Sequence, residues 1–375
     1  MRRDLVKTIQ SIFVIALLFA FSSCQKGMKD NSANLKGGGG SDFTPKELKN
    51  FVQINIVSDN EAQRSQYLDA NLVNGWDISF PPSGPAWVSS EGKGFSTIYN
   101  RDGVTMGAAV RIPQSSTSDG DHGRPTGHAY NPTADFKLPN GTPAELIFAT
   151  ADGAISGWNN GNISVNKIDN SPTASYLGVT VAPDGSDFFL YAANFAQNRI
   201  DVFDKNWNPV NKQLSDPSIP AGYAPFNIET VSDGKIYVMY AKKNAAGKPE
   251  IGSGNGYINV FSPSGTLLQR FSSKGKLNAP WGITKAPAGF WGEGSQLSNI
   301  ILVANYGDGT INAYDENGTY LGPVSTKGKS IQIDGLWGIT FPPVNSPNRY
   351  YLYFAAGPNG GKNGLVGYIK NSYIN

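Results

Sequence analysis

The stretches "APWGIT" (Ala279–Thr284) and "GLWGIT" (Gly335–Thr340) write the word Trp-Gly-Ile-Thr twice, with central glycines 56 residues apart. Weaker versions precede them: "WDI" at Trp76, "TGH" at Thr126, "LGV" at Leu177 and "FNI" at Phe226. The central residues fall at 77, 127, 178, 227, 282 and 338, so the step stays between 49 and 56 residues. A period of this size marks a repeat architecture in which each unit is one supersecondary element.

Every copy continues in the same way. A second apolar run follows, such as "LIFAT" (Leu146–Thr150) or "IILVANY" (Ile300–Tyr306), and after a turn comes a third, such as "RIDVFD" or "TINAYD". Alternation of Val, Ile, Tyr and Phe with polar residues has the period of a strand, and the Gly, Asn and Asp between are turn formers. Most units add a fourth, weaker run, such as "TLLQRFS" (Thr266–Ser272). Four strands per unit, repeated six times, predict an all-β, six-bladed β-propeller. A lone four-stranded sheet exposes two apolar faces, and closing a ring covers both. An open two-sheet sandwich or a β-helix is the alternative.

The last unit has only three strands before the end of the sequence, whereas "FVQINIV" (Phe51–Val57) is a spare strand ahead of the first. The N-terminal strand is therefore expected to complete the last blade. In the repeated word, Gly permits close backbone approach near the axis, and Trp and Ile are expected to fill the wedges between blades.

Composition agrees. Gly 44 and Pro 24 make up about 18% of 375 residues, against a usual ~12%, which suits a turn-rich β protein. Aromatics at 11% and apolar residues at 39% argue against disorder. The formal charge of +2 equals the net charge of Arg2, Arg3, Lys7 and Asp4, so the rest is near neutral. No basic stretch tracks a phosphate backbone, and nucleic acid is excluded as an expected partner.

The N-terminus reads as an address. Arg2 and Arg3 precede the apolar run "SIFVIALLFAF" (Ser11–Phe21), too short to span a bilayer, and small residues follow. "FSSC" (Phe21–Cys24) resembles a bacterial lipobox, with Phe21 where Leu is commoner. Residues 1–23 are thus expected to be a lipoprotein-type signal peptide, and Cys24, the single cysteine, the point of lipid attachment. Residues 24–42, polar and Gly-rich, read as a flexible tether, and 43–375 as the propeller. The expected location is the bacterial cell envelope, lipid-anchored to the outer membrane and facing the periplasm.

"APWGITKAPAG", "NIILVANYGDGTINAYDENGTYLG" (Asn299–Gly322) and "FLYAANFAQNRIDVFDKN" (Phe189–Asn206) resemble NHL-type propeller repeats, with Asn194 and Asn305 where Asp is usual and a longer step. Over Asn55–Ile369 the chain is similar to a family of exported bacterial propeller proteins known only as conserved hypothetical proteins. The run "DPSIPAGYAPFNIETVSDGKIYVMYAK" (Asp216–Lys242) is the most distinctive part of that match. The resemblance implies the fold and no activity.

Propeller ligands usually occupy a mouth of the central channel. Four of the six central triplet residues are Gly; the exceptions, Asp77 and Asn227, belong to units one and four, opposite one another in a six-fold ring. His128 follows the central Gly of unit two. Asp77, His128 and Asn227 are the ligand-binding candidates; the plain alternative is that Asp77 and Asn227 bond nearby backbone groups. "DGDHGRPTGH" (Asp119–His128) gathers Asp119, Asp121, His122 and His128, donor types that hold a divalent metal when they converge. Its spacing matches no dedicated metal motif, and a solvated loop explains it equally. "GSGNGY" (Gly252–Tyr257), "GPNGGKNG" (Gly357–Gly364) and "DENG" (Asp315–Gly318) read as turns. No Gly-x-Ser-x-Gly elbow is present, so a Ser-His-Asp nucleophile draws no support from motif. Trp87, Trp158, Trp207 and Trp291 lie outside the triplet and suit either a glycan-stacking surface or packing.

The expected function is a binding or interaction module for a protein, peptide or glycan, working without a cofactor. The alternative is a metal-assisted hydrolase or lyase at the channel mouth, by analogy of fold with Ca²⁺-dependent six-bladed lactonases; Ca²⁺ takes six to eight oxygen ligands, and Asp77 and Asn227 supply two. A structural envelope component is a third reading.

Overall fold

Alternating β-branched and aromatic residues cut by Gly, Asn and Asp at short intervals favour short antiparallel strands joined by tight turns. The computed structural model, which describes residues 45–82, 84–231, 234–295 and 297–373, consists of such strands. Six antiparallel sheets form the blades. Their innermost strands are Gly75–Ser79, Pro125–Tyr130, Tyr176–Asp184, Tyr223–Thr230, Pro280–Lys285 and Leu336–Thr340. Each innermost strand touches the next and the sixth touches the first, so the ring closes. Among the described residues no helix is long and apolar enough to cross a membrane. The readings for residues 1–42, including Cys24, and the start of the folded body at 43 lie outside the described residues.

Closure comes from the expected segment. Phe51–Ser58 runs antiparallel to Leu365–Asn371, with Phe51 opposite Asn371 and Ser58 opposite Leu365. The sequence reading did not foresee a fifth strand on this blade: Tyr67–Leu68 pairs in parallel with the outer edge of Phe51–Ser58. "GPNGGKNG" is the hairpin connection between Leu352–Ala356 and Leu365–Asn371, with left-handed backbone at Asn359 and Gly360.

The repeated triplet sits on a bulge in every blade. The pairing of the first two strands slips between Gly75 and Ile78, Pro125 and His128, Tyr176 and Gly178, Pro225 and Asn227, Pro280 and Ile283, and Leu336 and Ile339. A bulge rotates side chains off the simple two-residue alternation. The third triplet residues Ile78, Val179, Ile228, Ile283 and Ile339 enter the apolar wedges between blades.

The first triplet residues do not follow them into the wedges, which corrects the sequence expectation for Trp. Trp76, Leu177, Phe226, Trp281 and Trp337 gather in a single cluster, and residues from five blades meet only at the axis. Trp337 is stacked between Trp76, at 3.8 Å between ring centroids, and Tyr306, at 3.9 Å. The Trp281 indole N–H donates across the ring to the Leu177 carbonyl, 3.2 Å away. These rings plug the channel. The central Gly does allow close approach: a Cβ on Gly282 would stand 2.6 Å from the Trp337 carbonyl of the next blade.

The closing strand is held by its first residue. Phe51 is fully buried, stacked at 4.7 Å on Phe290 and edge-on to Trp291. Phe51→Ala is expected to cost about 3–5 kcal/mol and to free the edge of the last blade. Urea denaturation should show a lower midpoint, and an unchanged midpoint would mean the ring does not depend on this clasp.

Candidate functional site

Beyond the aromatic plug the inner strands diverge and leave an open funnel of about 410 Å³ on the axis. The residue after each triplet faces it: Ser79, Ala129, Thr180, Glu229, Thr284 and Thr340 all line the wall, one from each blade. Four are hydroxyls and one is a carboxyl. Asp77 and His128 line the same space, as do Lys285 and Trp281. A second groove, about 650 Å³, lies along blade three. Its charged groups are already engaged, Arg199 with Asp201 and Lys212 with Asp184, so the funnel is the better candidate despite its smaller volume.

Asp77 and His128, two of the three ligand candidates, come together where blades one and two meet. The Asp77 carboxylate accepts from the backbone N–H of Ile78 and from that of His128 in the next blade, both at 2.8 Å. It thus performs the backbone-bonding role of the plain alternative and ties blade one to blade two. The same Oδ2 lies 3.6 Å from His128 Nδ1. The imidazole is almost fully buried, and both its nitrogens meet serines: Nδ1 is 3.0 Å from Ser89 Oγ, and Nε2 is 2.7 Å from Ser79 Oγ.

Burial pushes the His128 pKa below its ordinary value, and the Asp77 charge offsets this in part. The ring is therefore kept neutral. A carboxylate beside Nδ1 favours the proton there, which leaves Nε2 to accept from the Ser79 hydroxyl. Burial likewise raises Asp77, against the pull of His128 and of its two backbone donors. Glu229, on the opposite wall, is raised well above the usual carboxylate range, first by burial and then by the charge of Asp77; the Asn227 amide offsets some of this. Two carboxyls in one poorly solvated space disfavour double ionisation. Through its hydroxyls and these carboxyls the funnel wall can donate as well as accept hydrogen bonds.

Asn227 does not join Asp77 and His128. Its amide donates to the Trp281 carbonyl of blade five at 2.9 Å, while its Oδ1 packs against Gly178, where a Cβ would lie only 1.8 Å away. It links blades three, four and five around the ring. In the loop, His122 Nε2 is 3.5 Å from the exposed Asp121 carboxylate, and Nδ1 is 2.8 Å from the Gly123 carbonyl. Asp119 stays exposed. Among the described residues no group of three or more His, Cys, Asp or Glu converges to hold a metal. Trp87, Trp207 and Trp291 are buried, and Trp158 is half-buried against Trp87; packing accounts for them.

Ser79 and Glu229 escaped the sequence reading, which stopped at the triplet. A signal was present: aligning the position that follows each triplet gives Ser, Ala, Thr, Glu, Thr, Thr, a polar column at the end of an otherwise apolar strand. Ser89 left a similar trace. Its counterparts in four other blades are Ala149, Ala193, Ala304 and Ala355.

With this geometry in hand, comparison with known proteins shows where the chain belongs. No protein-family model matches it. It is 33% identical over 350 residues to the Uncharacterized protein R648 of Acanthamoeba polyphaga mimivirus, covering 88% of this chain and 83% of that one. It is 31% identical over 354 residues to the Uncharacterized protein L690 of the same virus, covering 88% and 89%. The chain belongs to the family of these mimivirus proteins. Among solved structures, the apo-form of the soluble aldose sugar dehydrogenase from Escherichia coli superposes with a TM-score of 0.53 at 11% identity, over 86% of this chain and 99% of that one. That likeness concerns the fold alone. The matched relatives are viral where the sequence reading expected bacterial ones, and no NHL-type model is among the matches.

The raised Glu229 pKa has a consequence for stability. Its protonated form is fully present below the ordinary Glu value, and the stability it carries is lost as pH rises through the folded-state value. Glu229→Gln removes this group while Asp77, His128 and Lys285 still face the site. The variant should melt at least about 2 °C above the parent at pH 8, the advantage shrinking as pH falls toward the ordinary Glu value. Calorimetric scans across that range check this; a constant difference would show that Glu229 ionises normally.

Proposed function

We propose that the protein is a binding module whose axial funnel takes a small polyhydroxylated ligand, such as the terminal sugar of a glycan. The observation that carries this is the ring formed by Ser79, Thr180, Glu229, Thr284 and Thr340 around one open cavity. Hydroxyls and a carboxyl spaced around a wall match a ligand whose own hydroxyls point outward in several directions. A volume of about 410 Å³ lies within the roughly 300–1,000 Å³ usual for small-ligand sites, and it suits a sugar unit better than a folded partner. The reading needs no metal or cofactor, because wall groups alone satisfy such a ligand. Calcium-assisted hydrolysis at the same mouth has less support, since Asp77 and Glu229 are the only described carboxylates lining the funnel.

Titration calorimetry against neutral, acidic and amino sugars, with calcium and with EDTA, tests the proposal. Binding by at least one class is expected, unaffected by EDTA and weakened about tenfold or more by Glu229→Ala or by Thr180→Val with Thr284→Val, because a site built to bond hydroxyls is left with unpaired groups. Absence of binding across the panel would overturn it; binding lost with EDTA would favour the metal-dependent reading.

The same proposal places the protein outside the cytoplasm, held at a cell envelope by acyl chains on Cys24, with an envelope protein or glycan as its neighbour. The support is the charged start, apolar run and "FSSC" of the sequence; the bacterial setting belongs to this proposal too. One acyl chain holds a protein only marginally, so several are required. Expressed with its full N-terminus in a bacterial host, the protein should enter the membrane fraction with a lipid-sized mass increment on the peptide that begins at Cys24. Cys24→Ala should release it to the soluble fraction, and an unmodified Cys24 in a correctly exported protein would refute anchoring.

A further inference from the structure

We propose that Ser79 is a nucleophile and that the funnel hydrolyses small carboxylic esters, because Ser79 Oγ lies 2.7 Å from His128 Nε2 while Nδ1 of that ring lies 3.0 Å from Ser89 Oγ and 3.6 Å from Asp77 Oδ2. The three roles of an acyl-transfer site are thus filled by neighbouring blades: a hydroxyl open to the funnel, a base bonded to it, and a carboxylate beside the far nitrogen of the base. Such a constellation is recognised by geometry and recurs on unrelated folds, so the missing Gly-x-Ser-x-Gly elbow does not count against it.

Position argues that the arrangement is more than packing. In the other five blades the residue equivalent to His128 is aliphatic: Ile78, Val179, Ile228, Ile283 and Ile339. Opposite it, Ser89 stands where four other blades carry Ala. The wedge between blades one and two has exchanged apolar groups for an imidazole and the Ser89 hydroxyl, and its remaining apolar cluster is small. Burying an imidazole costs stability that an Ile at this point would not. The exchange also delivers Nε2 to the one hydroxyl in the group that faces the funnel, that of Ser79.

The chemistry balances without any external oxidant or metal. Ser79 Oγ attacks the ester carbonyl carbon and its proton passes to His128 Nε2. The tetrahedral intermediate collapses, the bond from carbon to the alcohol oxygen breaks, and the alcohol leaves with that proton. Water then adds to the acyl-serine, giving its proton to Nε2, and the acid departs as Ser79 recovers its hydrogen. Lys285 lines the same cavity, and positive charge in such a space stabilises a developing oxyanion. Asp77, bonded to two backbone N–H groups, acts as a positioning residue by favouring the Nδ1–H form. The substrate class that fits the funnel is an ester on a polyhydroxylated alcohol, such as an O-acylated sugar. This rests on the funnel being the ligand site.

A fluorophosphonate probe reports the nucleophile without knowledge of the natural ester. On the intact protein the expected result is one adduct, mapped by peptide mass to Ser79, absent in Ser79→Ala. His128→Gln should slow labelling at least about 100-fold, with calorimetry confirming that the variant is folded. Because burial holds His128 neutral below its ordinary value, the labelling rate should stay level from pH 8 down to about 6.5. A parent protein that binds sugar yet takes no probe at Ser79 overturns the nucleophile and leaves the binding module standing. Labelling that persists in His128→Gln overturns the base. An adduct on Ser79 in a protein that binds no sugar supports the hydrolase and sinks the sugar-binding reading.

Discussion

The whole molecule depends on how closely six inner strands approach one another around an axis. Each carries a bulge at the repeated triplet, which sends one side chain to the axis and the next-but-one into a wedge. Where the central residue is Gly, backbone meets backbone, as Gly282 meets the Trp337 carbonyl. Where it is Asp77 or Asn227, the side chain itself bridges to the neighbouring strand. The ring is therefore built from one joint, made six times in two chemical forms.

The funnel is a by-product of that joint. The bulges fix the aromatic plug at one level of the axis, so the strands diverge beyond it and leave a space whose wall is set by a single position per blade. A plug of stacked Trp76, Trp337 and Tyr306 fills the axis there, and Trp281 of the same cluster reaches the funnel wall. Asp77 and His128 are deeply buried there, and their pKa shifts follow first from burial, which their mutual attraction opposes. Glu229 on the far wall shares the same poor solvation and the field of Asp77.

Departures from symmetry lie where chemistry is expected. Blade four breaks the column with Glu229, and the wedge of blades one and two departs from its neighbours with His128 and Ser89. The fold does not require them, since the positions equivalent to His128 and Ser89 in the other wedges are filled by Ile or Val and by Ala or Met. The loop holding Asp119, Asp121 and His122 instead stays at the surface, with His122 partnered locally by Asp121 and the Gly123 carbonyl.

Periodicity was enough to read the blade number, the strand order within a blade and the clasp formed by Phe51–Ser58, because each follows from apolar faces that recur along the chain and must be covered. Asp77 and His128 were also legible, as exceptions within the triplet. Their geometry was not, nor was the departure of Asn227 toward Trp281, since a sequence does not say which way a bulge turns a side chain. Tertiary structure alone decided that Trp fills the axis rather than a wedge and that Ser79, His128 and Asp77 touch. The funnel draws on the inner strand of every blade, about fifty residues apart, and such residues become neighbours only when the ring has closed.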